Sequence, residues 1–305
     1  MKGIVLRSTG SFYDVLAPNG ETVVCKVRGK IRLEGIKETN PVAVGDRVAF
    51  EVINDIGSIT EILPRDNHIL RQSVKKTGHA HVLAANVDQV MIVATLAFPR
   101  TSLGFIDRLL VTAESFRIPQ VIVFNKLDIL APEEVEFQQR IVEVYKNIGV
   151  LCLTLSALQN NDFSLVQDAL AGKTTLIAGH SGVGKSTLLN KLSPEIAQKV
   201  GEVSDFSSKG THTTTFAEMF SLGEKTYVID TPGVKEWGLI DMSQQELSDY
   251  FPEMRDRRLD CKFGSRCIHV NEPKCAIKEA VEKGEIAMSR FDSYLSMLMN
   301  EDQYR

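Results

Sequence analysis

The chain is predicted to fold as three units in series: a small β-barrel, a mainly parallel α/β sheet covered by helices on both faces, and a short, mainly helical metal-binding unit. Three observations carry that expectation. Residues 1–66 hold short segments of strand character separated by glycine-bearing turns. From about residue 84 longer apolar segments alternate with helical ones, and between 261 and 275 three cysteines and a histidine crowd into a polar stretch. The expected divisions are 1–68, 69–240 and 241–305.

In the first unit the segments "GIVLR", "FYDVLA", "TVVCKVR", "RVAFEVI" and "GSITEIL" are punctuated by "STGS", "PNG", "VGD" and "IND". Five short strands joined by such turns fit a small barrel, of the oligonucleotide/oligosaccharide-binding (OB) type or an SH3-like one. Pro64 and the polar "RDNH" close the unit. In the second unit the strand segments are "QVMIVATL" (89–96), "QVIVF" (120–124), "VLCLTL" (150–155), "TTLIA" (174–178) and "TYVID" (226–230). Near-continuous apolar strands of this kind are buried on both faces, as in parallel sheets. Between two of them Phe137, Ile141, Val144, Tyr145 and Ile148 recur at helical spacing. The third unit ends in a helical stretch, "EAVEKGEIAMSRFDSYLSMLM".

Composition narrows the class. At 43% hydrophobic and 24% charged the chain reads as globular. The longest apolar run, "VMIVATLAF", is too short to span a bilayer, and the N-terminus lacks the pattern of a signal peptide, so the cytoplasm is the expected location. A net charge of −4 argues against a protein that coats nucleic acid nonspecifically, while leaving room for a local basic surface. Five cysteines, three of them clustered, suggest metal ligation more than a disulfide framework.

Gly179-His180-Ser181-Gly182-Val183-Gly184-Lys185-Ser186 fits G-x-x-x-x-G-K-[ST], between the strand "TTLIA" and the helix "STLLNKLS". Glycines let successive backbone N–H groups turn toward phosphate oxygens, Lys185 can reach the β- and γ-phosphates, and Ser186 can offer a hydroxyl to Mg²⁺. "DTPG" ends the strand "TYVID". There Asp230 can support the Mg²⁺ shell and Gly233 N–H can meet the γ-phosphate. Between these motifs "SKGTHTTTF" offers Thr213 or Thr214 to Mg²⁺ and the γ-phosphate.

Asn125-Lys126-Leu127-Asp128 follows the strand "QVIVF". Asp128 can accept from guanine N1–H and N2–H₂, a donor pair that adenine lacks. Asn125 can bind the N7 edge and bridge to the phosphate loop, and the Lys126 stem can lie on the base plane. Ser156 and Ala157, after "VLCLTL", can offer backbone N–H to guanine O6. These elements run in the order 125, 156, 179, 213, 230. An ordinary GTP-binding domain starts with the phosphate loop and ends with the base reader. Moving the first two elements to the end restores that order, so the sequence predicts a circular permutation joined through residues 158–173. Domain termini lie close together at the surface, which makes such a join feasible.

Cys261, Cys267, His269 and Cys275 form a Cys₃His set suited to one structural, tetrahedral Zn²⁺ with no open position. Cys25 and Cys152 lie in strand segments and read as buried apolar thiols. In "CKVRGKIR", Lys26, Arg28, Lys30 and Arg32 alternate and would share one face of a strand. Such a stripe, with Phe12 or Tyr13 for stacking, is a candidate RNA-binding surface; a plain solvated outer face is the competing reading.

Taken together, "NKLD", "GHSGVGKST", "HTTT", "DTPG" and "CIHVNEPKCAIKEA" closely resemble the ribosome small subunit-dependent GTPase A family over essentially the whole chain. The resemblance implies an OB-type barrel, a permuted GTPase domain that takes GTP/GDP with Mg²⁺, among whose contacts Thr187 also falls, and a zinc-binding domain. It implies a partner, the 30S subunit with its 16S rRNA, faster hydrolysis on that particle, and a role late in its assembly; a monomer is the simplest expectation. One departure stands out. Five residues separate the first two cysteines where the family pattern has four, so one residue is expected to loop out.

The position after "DTPG", glutamine in many GTPases, is Val234, which cannot hydrogen-bond to a water. Slow intrinsic turnover completed by another group is therefore expected, and His212 is the internal candidate. An acceleration of ~10⁵ corresponds to roughly 7 kcal/mol of transition-state stabilisation. The competing classes are an RNA-binding module whose nucleotide serves only structure, and a small-molecule phosphotransferase.

Overall fold

The computed structural model describes residues 1–27, 41–53, 56–72, 80–160, 162–193, 217–230 and 242–299. The chain opens with β1 (Lys2–Ser8), β2 (Tyr13–Leu16), β3 (Thr22–Val27), β4 (Arg47–Ile53) and β5 (Ile56–Ile62). They pair in the order β1-β2-β3-β5-β4, and β1 also pairs with β4, which closes the barrel. All these pairs are antiparallel except β3 with β5. This closed five-stranded order is the OB arrangement rather than the SH3-like one. Alternation of side chains puts Val5, Val15, Cys25, Val48, Phe50 and Ile59 inside. Gly57 is required there: a Cβ on it would lie 2.2 Å from Cys25 Sγ. Cys25 is thus a fully buried, apolar thiol, its pKa pushed up to about 11 by burial.

A hairpin of β6 (His68–Gln72) and β7 (Ala80–Ala85) follows, in a stretch for which the sequence carried no expectation. It meets the barrel at a parallel bridge between Val44 and Ala84. Gly45 sits so close to this hairpin that a Cβ would be 2.2 Å from Ala85 O.

The α/β unit runs β8 (Gln89–Ala94), α1 (Leu103–Ser115), β9 (Gln120–Phe124), α2 (Pro132–Asn147), β10 (Leu151–Thr154), α3 (Ser164–Leu170), β11 (Thr174–Ala178), α4 (Lys185–Leu192), β12 (Glu218–Gly223) and β13 (Thr226–Asp230). Its strands lie in the order β10-β9-β8-β11-β13-β12, all parallel except β12. Counted from β11, this is a doubly wound sheet whose first strand carries the phosphate loop. The chain therefore enters that sheet at its fourth strand, as a circular permutation requires.

Strand residues alternate between two buried faces, which explains their unbroken hydrophobicity. Val90, Ile92, Ile122 and Phe124 pack with α1 and α2, while Met91, Val93, Val121 and Val123 pack with α3 and α4. Helix α2 starts five residues before the periodic stretch, because Pro132 occupies its first turn and Glu134 Oε2 accepts from Ala131 N. Strand β12 escaped the sequence reading. It is the last strand of the α/β unit in sheet order, of mixed composition and antiparallel to β13, and it meets the barrel at Arg7↔Glu218, so barrel and sheet share one continuous 11-stranded surface.

Beyond residue 242 short helical turns lead to α5 (Pro252–Arg255), α6 (Ala276–Glu282) and α7 (Met288–Leu298). The C-terminal helical stretch is thus two helices, parted at Gly284, which adopts φ 72°. Their core gathers Phe251, Met254, Ile277, Tyr294 and Met297 around the cysteines, and Val111 of α1 belongs to it. Among the described residues no helix is long and apolar enough to cross a membrane.

Candidate functional site

Each nucleotide-site motif that the structure describes leaves the carboxyl end of a parallel strand. Asn125–Asp128 follow β9, Ser156 and Ala157 follow β10, the phosphate loop follows β11, and Asp230 ends β13. Because β8 and β11 are neighbours where the connections diverge, these loops surround the crevice that such sheets open at a switch point.

Asn125 ties the loops together. Its Nδ2 donates to Val183 O at 2.8 Å, and its Oδ1 accepts from Ala157 N at 2.8 Å. Buried to 2% exposure, it joins the base-reading segment to the phosphate loop and to the 156–157 corner. Gly184, at φ 96°, is needed for that approach, since a Cβ would fall 2.3 Å from Asn125 Nδ2. Gly179 likewise lies against β8, where a Cβ would be 2.2 Å from Val93 O.

In the phosphate loop Val183 is buried, whereas Ser181, Gly182, Ser186 and Thr187 are exposed. Lys185 Nζ donates to Gly179 O and His180 O, both at 2.8 Å. Burial lowers its pKa, and attraction to Asp230 opposes that shift, which places the ammonium and the carboxylate in one electrostatic neighbourhood. At the other end of the crevice Asp128 Oδ1 is buried with no hydrogen-bond partner. A buried carboxylate oxygen without a donor is costly, and a guanine edge supplies the donors it lacks. The residues therefore fit a guanine nucleotide.

Two of the expected base contacts have partners within the protein. Ser156 N donates to Asn160 Oδ1 at 3.2 Å and Ala157 N to Asn125 Oδ1 at 2.8 Å. Lys126, in the left-handed region at φ 64°, sends Nζ to Phe98 O at 3.0 Å, so its stem leans on the 95–102 loop. That loop was not singled out from the sequence, although it leaves β8 at the same sheet end as the motifs. Thr101 N bonds to Thr95 O at 2.7 Å, and Pro99 faces Gly182. Phe105, two residues into α1, was missed as well. Its ring stacks on His180 with centroids 3.7 Å apart and planes 23° from parallel. Val234 and the site candidates His212, Thr213, Thr214, Gly233, Arg28, Lys30 and Arg32 lie outside the described residues. Lys26 is exposed on β3 with its Nζ 4.7 Å from the Phe12 ring centroid.

Cys261, Cys267, His269 and Cys275 bring their donor atoms within 4.8 Å of one another, all buried. Cys261 Sγ lies 3.8 Å from Cys275 Sγ and 3.7 Å from His269 Nδ1. Zn–S bonds of about 2.3 Å in a tetrahedron place sulfurs about 3.8 Å apart, so the set fits zinc. Burial pushes the Cys267 thiol up to about 12 and the His269 imidazole down to about 4. A neutral imidazole is ready to ligate, while the thiols need a cation to ionise. Between the first two cysteines the chain makes the turn Gly264–Arg266, with Gly264 at φ 52°.

A family model for the RsgA GTPase matches residues 62–240, and one for the RsgA N-terminal domain matches residues 2–59. The small ribosomal subunit biogenesis GTPase RsgA of Christiangramia forsetii is 46% identical over 310 residues, covering 100% of this chain and 98% of that protein. The small ribosomal subunit biogenesis GTPase RsgA 2 of Bacteroides thetaiotaomicron is 46% identical, covering 99% of this chain and 98% of its own length. Among solved structures, YjeQ from Thermotoga maritima superposes with a TM-score of 0.78 at 34% identity, covering 100% of this chain and 99% of that one. YloQ, a circularly permuted GTPase, gives 0.75 at 30% identity, covering 98% and 94%. A sheet entered at its fourth strand, an Asn125 bonded to the phosphate loop and full-length likeness agree: the chain belongs to the RsgA family of circularly permuted GTPases.

Proposed function

We propose that this protein hydrolyses GTP to GDP and phosphate in late maturation of the 30S ribosomal subunit, and that the 30S particle stimulates the reaction. The observation that supports the nucleotide assignment is the Asn125 clip, which ties the segment bearing the orphan Asp128 oxygen to the phosphate loop bearing Lys185. Asp128 selects guanine, the loop from Gly179 to Thr187 wraps the phosphates, and Lys185 neutralises charge that develops on the transferred group. Ser186 and Thr214 would hold Mg²⁺, with Asp230 behind it, and the ion would supply further charge neutralisation. Thr213 and Gly233 belong to the same γ-phosphate end.

With Val234 unable to orient water, His212 is the proposed completing group. His212→Ala is expected to lower 30S-stimulated turnover and leave GTP affinity nearly intact; equal loss of both would count against it. The Cys₃His set holds a structural Zn²⁺, and Lys26, Arg28, Lys30 and Arg32 face 16S rRNA, with Lys26 and Phe12 as a ready cation–aromatic pair. The protein works as a cytoplasmic monomer. Purified 30S particles should accelerate GTP hydrolysis, whereas 50S particles and buffer should not; turnover indifferent to the particle would overturn the proposal.

A further inference from the structure

Helix α1 touches two places that the nucleotide chemistry does not explain. At its start Phe105 stacks on His180, whose carbonyl accepts from Lys185 Nζ. Two residues on, Asp107 is fully buried and its Oδ1 accepts from Arg290 Nη1 at 2.6 Å and from Tyr145 Oη at 2.9 Å. Arg290 lies on α7 of the C-terminal unit, 1% exposed. Its Nε donates to Glu253 Oε1 at 2.7 Å, and its guanidinium lies over Phe251 with 4.6 Å to the ring centroid. Val111 enters the C-terminal core, and at the far end of α1 Glu114 Oε1 accepts from Arg255 Nη1 at 2.7 Å.

One face of α1 therefore packs on the sheet and another belongs to the C-terminal unit, with its first turn against the phosphate loop. Buried ion pairs add little net stability because desolvation offsets their attraction, but they fix geometry, and a planar guanidinium shared by two carboxylates allows one register. A shift of α7 must move Asp107 or break that pairing. A shift of Asp107 carries Phe105, and through His180 it moves a carbonyl that holds Lys185.

We propose that Phe105 and Arg290 are positioning residues for the particle-stimulated step of GTP hydrolysis alone, joined through α1 so that a contact made by the C-terminal unit resets the phosphate loop. This rests on the function proposed above and adds the route by which stimulation reaches the site. Energetic coupling, rather than proximity, is what must be shown.

The experiment is a double-mutant cycle on the stimulation factor, the ratio of turnover with and without saturating 30S particles. Phe105→Leu removes the stacked ring and keeps bulk; Arg290→Lys keeps the buried charge and loses the fork. Each single change is expected to cut the factor about tenfold, with Arg290→Lys leaving unstimulated turnover, GTP KM and particle affinity within about twofold. The double variant should be no worse than the worse single. Independent, multiplicative losses, or a loss explained wholly by weaker particle binding, would overturn the coupling. Zinc content and melting report whether Arg290→Lys keeps its fold. If it does not, Glu114→Gln at the solvent-facing contact replaces it in the cycle, with the same two outcomes. A wild type that the particle fails to stimulate would instead refute the proposed function itself.

Discussion

Replacing Asn125 by alanine tests the assembly of the nucleotide crevice most directly. The substitution removes two hydrogen bonds of 2.8 Å and leaves Val183 O and Ala157 N without those partners at a site 2% exposed. Each orphaned buried group costs about 1–3 kcal/mol, so about 2–6 kcal/mol is at stake. Part of this appears as lower stability and part as weaker binding, because the three loops no longer hold their spacing. If about 1.4 kcal/mol reaches the binding equilibrium, GTP affinity falls about tenfold. Titration with a fluorescent guanine nucleotide reads the affinity, and thermal melting of the same samples reads the stability. Asn125→Asp keeps an acceptor for Ala157 N but turns a carboxylate toward Val183 O, so it should do no better than alanine. Affinity within threefold of wild type together with an unchanged melting temperature would refute the clip.

Three further outcomes are expected. Asp128→Asn should shift preference from guanine toward xanthine nucleotides, whose 2-oxo group suits an amide donor; an unchanged base preference in competition titrations would refute the assignment. Gly179→Ala places a Cβ 2.2 Å from Val93 O, and overpacking of this kind costs about 1–3 kcal/mol, so both melting temperature and nucleotide affinity should drop. Metal analysis should find one zinc per chain, lost in Cys275→Ser; structural zinc sites contribute about 10–16 kcal/mol in small modules, so a strong chelator should abolish hydrogen-exchange protection of α7 while that of β8 and β9 persists. Protection unaffected by the chelator would remove zinc from the account.

Much of this protein is decided by short-range pattern. The barrel strands, the apolar strands of the sheet, the phosphate loop between strand and helix, and the Cys₃His spacing are legible because each depends on residues a few positions apart. Glycine where φ is positive, alternation in a half-buried strand and a thiolate count for a tetrahedral ion are local requirements. The order of the motifs even determined that the domain is permuted, since their chemistry fixes where each must sit.

Folding alone decided what depends on partners distant in sequence. The β6–β7 hairpin and strand β12 carry weak local signals and exist through pairing, β12 with both β13 and the barrel. Asn125 finds Val183 across 58 residues, and Arg290 finds Asp107 across 183. Side-chain capture of the Ser156 and Ala157 amides, the Lys126 contact with Phe98 and the stacking of Phe105 on His180 leave no periodic trace in the sequence. Such contacts form because the sheet has already paid the entropy of bringing its strand ends together, and a sequence pattern records the strands but not the meeting.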